Sequence, residues 1–205
     1  MIEFADLDMG YTQCTTIYNV VTEKGTSITS RLSQIIDALT VHWLGEDATK
    51  HINSLIKVYG EISNFIKVTV EVMSDTTEKV VQVQEARESN GATGAEVGTT
   101  VPNSIEIAEK EDIPVTVKYF CDPEARQDHG NLTQLIDDFK TFSAEVQRDS
   151  EELMGNWISG NGRQKAQEQF DAFRNSSNTY YQTMLDTATA LDKAVSNLEQ
   201  LMTNK

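Results

Sequence analysis

Trp43-Leu44-Gly45 lies between two long amphipathic stretches, and the fold class follows from that position. Apolar residues recur on both sides at three- and four-residue spacing, a period of about 3.5 that is typical of helices packed along their length. The glycine can adopt the conformation that ends a helix, and the tryptophan can hold the bend. The pattern therefore predicts a helical hairpin over residues 12–88. Its apolar positions include Val21, Ile28, Leu32, Ile35 and Leu39 before the tip and Ala48, Ile52, Leu55, Ile62 and Ile66 after it.

The same pattern occurs a second time. Trp157 lies 114 residues after Trp43, and the offset between aligned positions becomes 118 past the tip. The four additional residues fall within Trp157–Arg163, where a loop insertion leaves the packing on either side intact. One apolar position is not repeated, because Ile35 aligns with the charged residue Asp149. The alignment predicts a duplicated domain. Aligned pairs include Asp8 and Asp122, Tyr18 and Leu132, Gly25 and Phe139, and Ala48 and Ala166.

Composition divides the chain into three parts. Residues 1–88 form the first predicted hairpin, here called the first repeat, and residues 115–205 form the second repeat. Between them, residues 89–114 are rich in glycine and threonine and then acidic, which predicts a flexible linker. The predicted helices span Thr12–His42, Glu46–Glu88, 131–156 and 163–203.

Three local patterns affect the helix assignments. Lys67–Val72 alternates as a strand would, but the helical pattern continues on both sides, which favours a helix. Val115–Phe120 can form a short extended segment. Asp122-Pro123-Glu124 has the residues of a helix start, yet Gly130 follows it. The sequence leaves open whether this turn continues into the helix predicted from Asn131.

One hairpin alone exposes an apolar face, and two facing hairpins bury both faces. A linker of about 26 residues is long enough to return along a bundle. We therefore expect an all-α fold in which two long helical hairpins pack as an antiparallel four-helix bundle, a pseudo-dimer within one chain. The alternative is two separate hairpins that each pair with another molecule.

The formal net charge is -15 at pH 7 and both halves are acidic, which argues against nucleic acid and anionic membrane surfaces as partners. No apolar stretch approaches the roughly 20 residues that span a bilayer, so membrane insertion is not expected. The N-terminal residues lack the basic and apolar regions of a signal peptide. Cys14 and Cys121 occupy unrelated positions in the repeats, which favours free thiols over a disulfide.

The chain contains no pattern typical of an active site. His42 and His51 flank the first tip on different sides, and neither belongs to a Glu-x-x-His pair. We expect them, and His129, to be ordinary surface or tip histidines. Phosphate-loop and nucleophile-elbow motifs are absent. The sequence thus predicts no catalytic, cofactor-binding or metal-binding residue, and no cofactor.

Each repeat, a long helix followed by a Trp-x-Gly turn and a second long helix, resembles the WXG100 (ESAT-6-like) family. The first repeat has the motif as Trp43-Leu44-Gly45, and the second has Trp157-Ile158-Ser159-Gly160, which is one residue longer. Val117–Glu124, which contains Asp122-Pro123-Glu124, is similar to the family's typical lead-in. The resemblance covers both repeats and excludes only the linker.

The resemblance implies a non-enzymatic function in type VII secretion, which exports such hairpin proteins mostly in Gram-positive bacteria and mycobacteria. Family members pair as homo- or heterodimers, so a monomeric pseudo-dimer or a homodimer is expected. The implied partners are proteins: the secretion machinery, a toxin or another WXG100-like protein. The protein would be cytoplasmic before export, then secreted or at the cell surface. The implied turn and recognition motif comprises Trp43, Gly45, Trp157 and Gly160.

One feature of the family is missing. Its export signal is a Tyr-x-x-x-Asp/Glu motif after the second helix of one partner, whereas Tyr59, Tyr180 and Tyr181 are followed four residues later by Ser, Met and Leu. Either a partner supplies the signal or the protein works inside the cell as an adaptor. A competing function is a structural or scaffolding helical bundle with no secretion role.

Overall fold

The computed structural model describes residues 2–91, 100, 102–115 and 118–203, and they are mostly helical, which confirms the predicted all-α class. Within these described ranges, four strands of two or three residues accompany the helices. The helices are α1 (Leu7–Val20), α2 (Thr26–His42), α3 (Glu46–Ser89), α4 (Ala125–Asn156) and α5 (Asn161–Thr203), and a π-helical turn, Val21–Gly25, joins α1 to α2. The strands are β1 (Glu3–Phe4), β2 (Trp43–Leu44), β3 (Phe120–Cys121) and β4 (Trp157–Ser159).

Both repeats become helical earlier than the apolar pattern predicts. The prediction of Thr12 as the first helical residue is wrong, because α1 begins at Leu7, where the Asp6 side chain accepts a hydrogen bond from the Met9 main chain. α4 begins at Ala125 and continues through Gly130. One glycine costs a helix only about 1 kcal/mol relative to alanine, so it does not interrupt the turn that precedes it.

The second helix of each repeat agrees more closely with its prediction. α3 ends at Ser89, one residue past the predicted end, and α5 begins at Asn161, two residues early. Lys67–Val72 lies within α3, which confirms the helical interpretation of its alternating pattern.

The π-helical turn shifts the alignment of the two repeats by one residue. Before the turn, the buried counterpart of Leu132 is Ile17, and the predicted counterpart Tyr18 is only partly buried. A π-helical turn contains one more residue than the α-helical path it replaces. From the end of the turn onward, the predicted alignment of the repeats holds: Gly25 corresponds to Phe139, and both residues are buried.

The chain forms two compact units, each built from both repeats. Unit 1 comprises Met1–Thr26, Asn64–Ile107 and Phe142–Asn175, and unit 2 comprises Ser27–Ser63, Ala108–Thr141 and Ser176–Lys205. In unit 1, the rings of Phe65 and Phe173 stack with centroids 4.0 Å apart. The cores include Ile17, Val21, Ile66, Met73 and Phe142 in unit 1, and Leu32, Leu39, Ile52, Leu135, Phe139 and Met184 in unit 2.

Part of the predicted flexible linker is held against helices. In unit 1, the Ser74 hydroxyl donates to the Pro102 carbonyl over 2.6 Å. In unit 2, the Asn53 side chain bonds both main-chain groups of Ile113, at 2.9 and 3.1 Å. Composition did not predict these contacts. Most of the Gly/Thr-rich stretch, 92–99 and 101, lies outside the described residues.

Candidate functional site

The Trp43 tip, in unit 2, is a pair of antiparallel strands followed by a glycine turn. β2 pairs with β3, so that Trp43 lies opposite Cys121 and Leu44 opposite Phe120. The Trp43 side chain is buried and stacks on His51, with ring centroids 5.7 Å apart. Gly45 has a φ of +131°, a conformation that only glycine adopts readily, and α3 begins at the next residue.

The Trp157 tip, in unit 1, has the same construction. β4 pairs with β1, so that Trp157 lies opposite Phe4 and Ser159 opposite Glu3. The indole of Trp157 is only 1% exposed and stacks on Phe4, with centroids 5.4 Å apart. Gly160 has a φ of +135° and directly precedes α5. Both predicted turn glycines therefore occupy equivalent positions.

The additional residue of the second motif is a β-bulge at Ile158. Its side chain is 55% exposed, and the pairing of β1 with β4 changes register there. A bulge places one more residue on one strand without moving the pairs on either side. Trp157-x-x-Gly160 is therefore structurally equivalent to Trp43-x-Gly45.

The prediction that four extra residues lie in the second tip is thus only partly right, because one forms the bulge and three lie in the first turn of α5. Three residues are nearly one helical turn, so the buried face is recovered at Ala166, the counterpart of Ala48.

The strand before the first helix of each repeat, here called its lead-in strand, is β1 in the first repeat and β3 in the second. Each pairs with the tip of the other repeat. The main-chain N–H of Asp122 donates to the carbonyl of His42 over 2.8 Å, and Ala5 donates to Asn156 over the same distance. Asp122 is therefore the counterpart of Ala5, and the predicted alignment with Asp8 is wrong because the segments between lead-in strand and tip differ in length.

The residue before each tryptophan also holds the other repeat's lead-in segment through its side chain. In unit 2, His42 Nδ1 lies 2.7 Å from Asp128 Oδ2, and Nε2 lies 3.2 Å from Glu124 Oε2. These two contacts tie the end of α2 to the start of α4. His42 is a tip histidine, one of the two kinds that the sequence led us to expect, and its two contacts with carboxylates are what the sequence did not indicate.

In unit 1, the corresponding side chain is the neutral amide of Asn156. Its Oδ1 accepts from the Asp6 N–H at 2.9 Å, and its Nδ2 donates to the Asp6 carbonyl at 3.0 Å. Nδ2 also lies 3.2 Å from Gln13 Oε1. Each tip thus has a side-chain contact to the other repeat from the residue before its tryptophan. The imidazole of His42 makes it at one tip, and the amide of Asn156 makes it at the other.

The hydrogen bond to Asp128 raises the pKa of His42, and the charges of Asp128, Glu124 and Asp122 act in the same direction, against the opposing effect of partial burial. Burial raises the pKa of the Cys14 thiol to about 12 and also raises the pKa of Cys121. Both cysteines are free, as expected from the sequence.

The burial of Trp43 and Trp157 agrees with the expectation that a tryptophan holds each bend, and their part in a recognition motif stays a prediction. Their indole rings are buried, so they hold each tip together, and any recognition at the tips must involve the exposed residues beside them. Sequence reasoning missed the contacts that His42 and Asn156 make with the other repeat. Their shared position before the two tryptophans was the available signal, because both are polar residues at the end of an amphipathic helix.

Further features of the described residues bear on other functions. None of their His, Cys, Asp and Glu side chains form a group of three or more that could hold a metal ion. A cavity of about 310 Å³ in unit 1 is lined by residues that include Thr76, Lys79 and Gly162. Within the same described ranges, no helix is both long and apolar enough to cross a membrane.

Comparisons with known proteins identify no relative: no protein-family model matches the chain, and no curated protein or solved structure is significantly similar to it.

Proposed function

We propose that the chain is a tandem WXG100-like protein of a type VII secretion pathway, either an exported substrate or the adaptor of one, acting without catalysis through contacts with proteins. The reciprocal tips carry this proposal. Each joins the Trp–Gly turn of one repeat to the lead-in strand of the other. A tryptophan-containing turn between two long helices is also the feature by which both repeats resemble that family.

In this proposal, the repeats pack as an antiparallel four-helix bundle, so that one chain supplies both partners of a family dimer. Support comes from each unit considered separately. In unit 1, Lys24 of the first repeat bonds Glu145 of the second, and Phe65 stacks on Phe173. In unit 2, Arg31 forms an ion pair with Asp138. Both repeats thus contribute to each core.

We propose a protein as the partner because the net charge of the chain disfavours the other classes of partner. A net charge of -15 repels nucleic acid and anionic lipid. Because no tyrosine begins a Tyr-x-x-x-Asp/Glu motif, export would depend on a partner that supplies the signal. Without such export, the chain would serve as an adaptor in the cytoplasm.

The proposal is tested by following the tagged chain in its native host, with and without the type VII ATPase. ATPase-dependent appearance in the medium would support a substrate role, provided that a cytoplasmic marker stays in the cells. Retention would support the adaptor role if deleting the chain abolished export of a co-purifying protein. Retention together with unchanged export of all type VII substrates would contradict the proposal and favour a structural bundle.

A further inference from the structure

The cavity in unit 1 is bordered by α3, by the start of α5 and by Ile2. Its volume of about 310 Å³ is at the lower end of the range found for small-ligand sites. Gly162, which also lines it, is the second residue of α5. The cavity is therefore large enough for a small molecule or the end of a peptide. The residues that α3 contributes are Thr76, Lys79, Gln82, Val83 and Ala86.

The hydroxyl of Thr76 is a buried polar group beside this cavity. The residue is only 1% exposed, and a Cβ added to Gly162 would lie 3.1 Å from its Oγ1. Among the described residues this hydroxyl has no hydrogen-bond partner, whereas the hydroxyl of Thr77 donates to the Met73 carbonyl over 2.7 Å. Leaving a buried polar group without a partner is unfavourable. A ligand that accepts a hydrogen bond from Thr76 would remove this cost.

Two further features of the cavity favour an anion. Lys79 is the only charged residue among the described residues that line it, and within the described part of the chain it forms no ion pair. The adjacent Glu78 does not belong to that lining, and its carboxylate accepts a hydrogen bond from Gln82 over 3.2 Å. The start of α5 adds main-chain N–H groups without helical partners and the positive end of the helix dipole. No acidic residue lies in the first turn of α5.

The rest of the lining indicates what the anion carries. Ile2 and Val83 are half-buried apolar residues of the cavity, and Ala86 lies beyond them along α3. An aliphatic group can pack against these side chains. One lysine and one hydroxyl match the single charge of a carboxylate better than a phosphate monoester, which carries about 1.5 to 2 charges.

We propose that this cavity binds a carboxylate attached to a short aliphatic group. Thr76 Oγ1 and Lys79 Nζ would donate to the carboxylate, and the aliphatic group would pack on Ile2 and Val83. The inference goes beyond the proposed function and does not rest on it, because it uses only the lining of one cavity in unit 1.

Binding can be tested on the full ¹⁵N-labelled chain with 4-methylpentanoate and with its amide, which has the same shape and no charge. We expect the carboxylate to shift the amide resonances of Thr76, Lys79 and Gly162. The neutral amide should bind at least about tenfold more weakly, because it forms no charge-assisted hydrogen bonds. A third probe, acetyl-Gly-Gly-Leu with a free C-terminus, distinguishes the sources of the carboxylate. Tighter binding of this peptide would identify a peptide C-terminus as the ligand, and weaker binding would identify a small carboxylic acid.

Variants of the two donor residues test the assignment of the site. Thr76→Val keeps the shape of the side chain and should weaken binding of 4-methylpentanoate about tenfold, the loss typical of a hydrogen bond to a charged group. Thr76→Ser keeps the hydroxyl and should retain binding. Lys79→Gln should also weaken binding about tenfold. Lys67→Gln is the matched control: it changes the net charge equally, roughly 18 Å away along α3, and should leave binding unchanged.

Three results would overturn the inference. They are equal binding of the carboxylate and the amide, no shift at the cavity residues, and equal losses in Lys67→Gln and Lys79→Gln. The last result would mean that general charge attraction holds the ligand. Circular dichroism checks that each variant is folded. If Thr76→Val is not, Lys79→Gln decides, because the Lys79 side chain is exposed and its replacement leaves the core intact.

Discussion

Asp122 and His42 are joined by a main-chain hydrogen bond of 2.8 Å that has its counterpart between Ala5 and Asn156. The two bonds place each lead-in strand beside the tip of the other repeat. Beyond the main chain the tips differ, because His42 lies between two carboxylates and Asn156 is neutral. We therefore expect only the Trp43 tip to depend on pH through this position.

The first prediction concerns that pH dependence. Because the folded state raises the pKa of His42, protonation stabilises the fold. This contribution is complete below the unfolded pKa of about 6.5 and is lost as pH rises through the folded pKa. Urea unfolding across this range should show a decline in stability that His42→Asn reduces. His129→Asn is the control and should keep the decline, and an unchanged decline in His42→Asn would contradict the prediction.

The buried indole of Trp157 should contribute more to stability than its exposed neighbour. Trp157→Ala leaves a cavity beside Phe4, and we expect a loss of about 3–5 kcal/mol in the free energy of unfolding. Ile158→Ala on the same strand should change it by less than about 0.5 kcal/mol, as is usual for surface sites. Chemical denaturation measures both. Similar losses in the two variants would mean that the indole is not a structural element of the tip.

Two helical glycines should respond oppositely to the same substitution. A Cβ on Gly10 would lie 2.6 Å from the ring of Phe4, which is held by its stacking on Trp157. Gly10→Ala should therefore cost about 1–3 kcal/mol. Gly60→Ala meets no atom within 4 Å and should stabilise α3 by about 0.5–1 kcal/mol. Thermal unfolding measures both effects. If Gly10→Ala and Gly60→Ala shifted the melting temperature in the same direction, this prediction would be wrong.

Asp149 and Ile35 are aligned positions that allow a reciprocal test. Asp149 is buried, and its Oδ2 has no hydrogen-bond partner among the residues that the structure describes, although Oδ1 accepts from Arg148 at 2.8 Å. The side chain of Arg148, the ion-pair partner of Asp149, is 63% exposed and stays solvated after the substitution. Removing the poorly satisfied buried carboxylate leaves no buried charge behind, so Asp149→Ile should gain about 1 kcal/mol. Ile35→Asp buries a new carboxylate and should lose more than about 3 kcal/mol. The free energy of unfolding of both variants measures this. If Asp149→Ile were less stable than Ile35→Asp, the prediction would be wrong.

The bulge at Ile158 predicts that this residue can be deleted. Without it, the second tip would read Trp-x-Gly, as the first tip does, and the pairs of β1 with β4 would remain. We expect a folded protein whose stability changes by less than about 1 kcal/mol, within the range usual for changes at surface sites. Circular dichroism and urea unfolding measure this. Deleting Leu44 is the matched comparison. This deletion removes a paired residue from β2 and should lower the free energy of unfolding far more than deletion of Ile158.

The apolar periodicity and the Trp–Gly turns were sufficient to predict the helical class and the two tips. The one-residue shift in the π-helical turn could not be predicted, because Tyr18 is as plausible an apolar counterpart of Leu132 as Ile17. The sequence indicated an extended segment ending at Phe120, the first residue of β3, but the pairing of the lead-in strands with the tips was missed for another reason. Each is only two residues long, and Asp6 meets Asn156 across 150 residues of sequence, so no local pattern indicates the partner.

The partners on which the tryptophans pack were equally hidden from the sequence. The motif identifies Trp157, but the side chain that stacks on it, Phe4, comes from the other repeat. The role of the residue before each tryptophan depends on the same distant pairing. His42 gains its two carboxylates only when the start of the second repeat reaches it.

The exchange of lead-in strands between repeats has a consequence for synthesis on the ribosome. The Trp43 tip can be completed once Phe120 and Cys121 have emerged, whereas β1, which precedes the other elements of this fold, has no strand to pair with until Trp157–Ser159 appear. Within this fold, β1 is thus synthesised before the other elements and is one of the last to find its strand partner. A chain interrupted before residue 157 would therefore carry an unpaired β1.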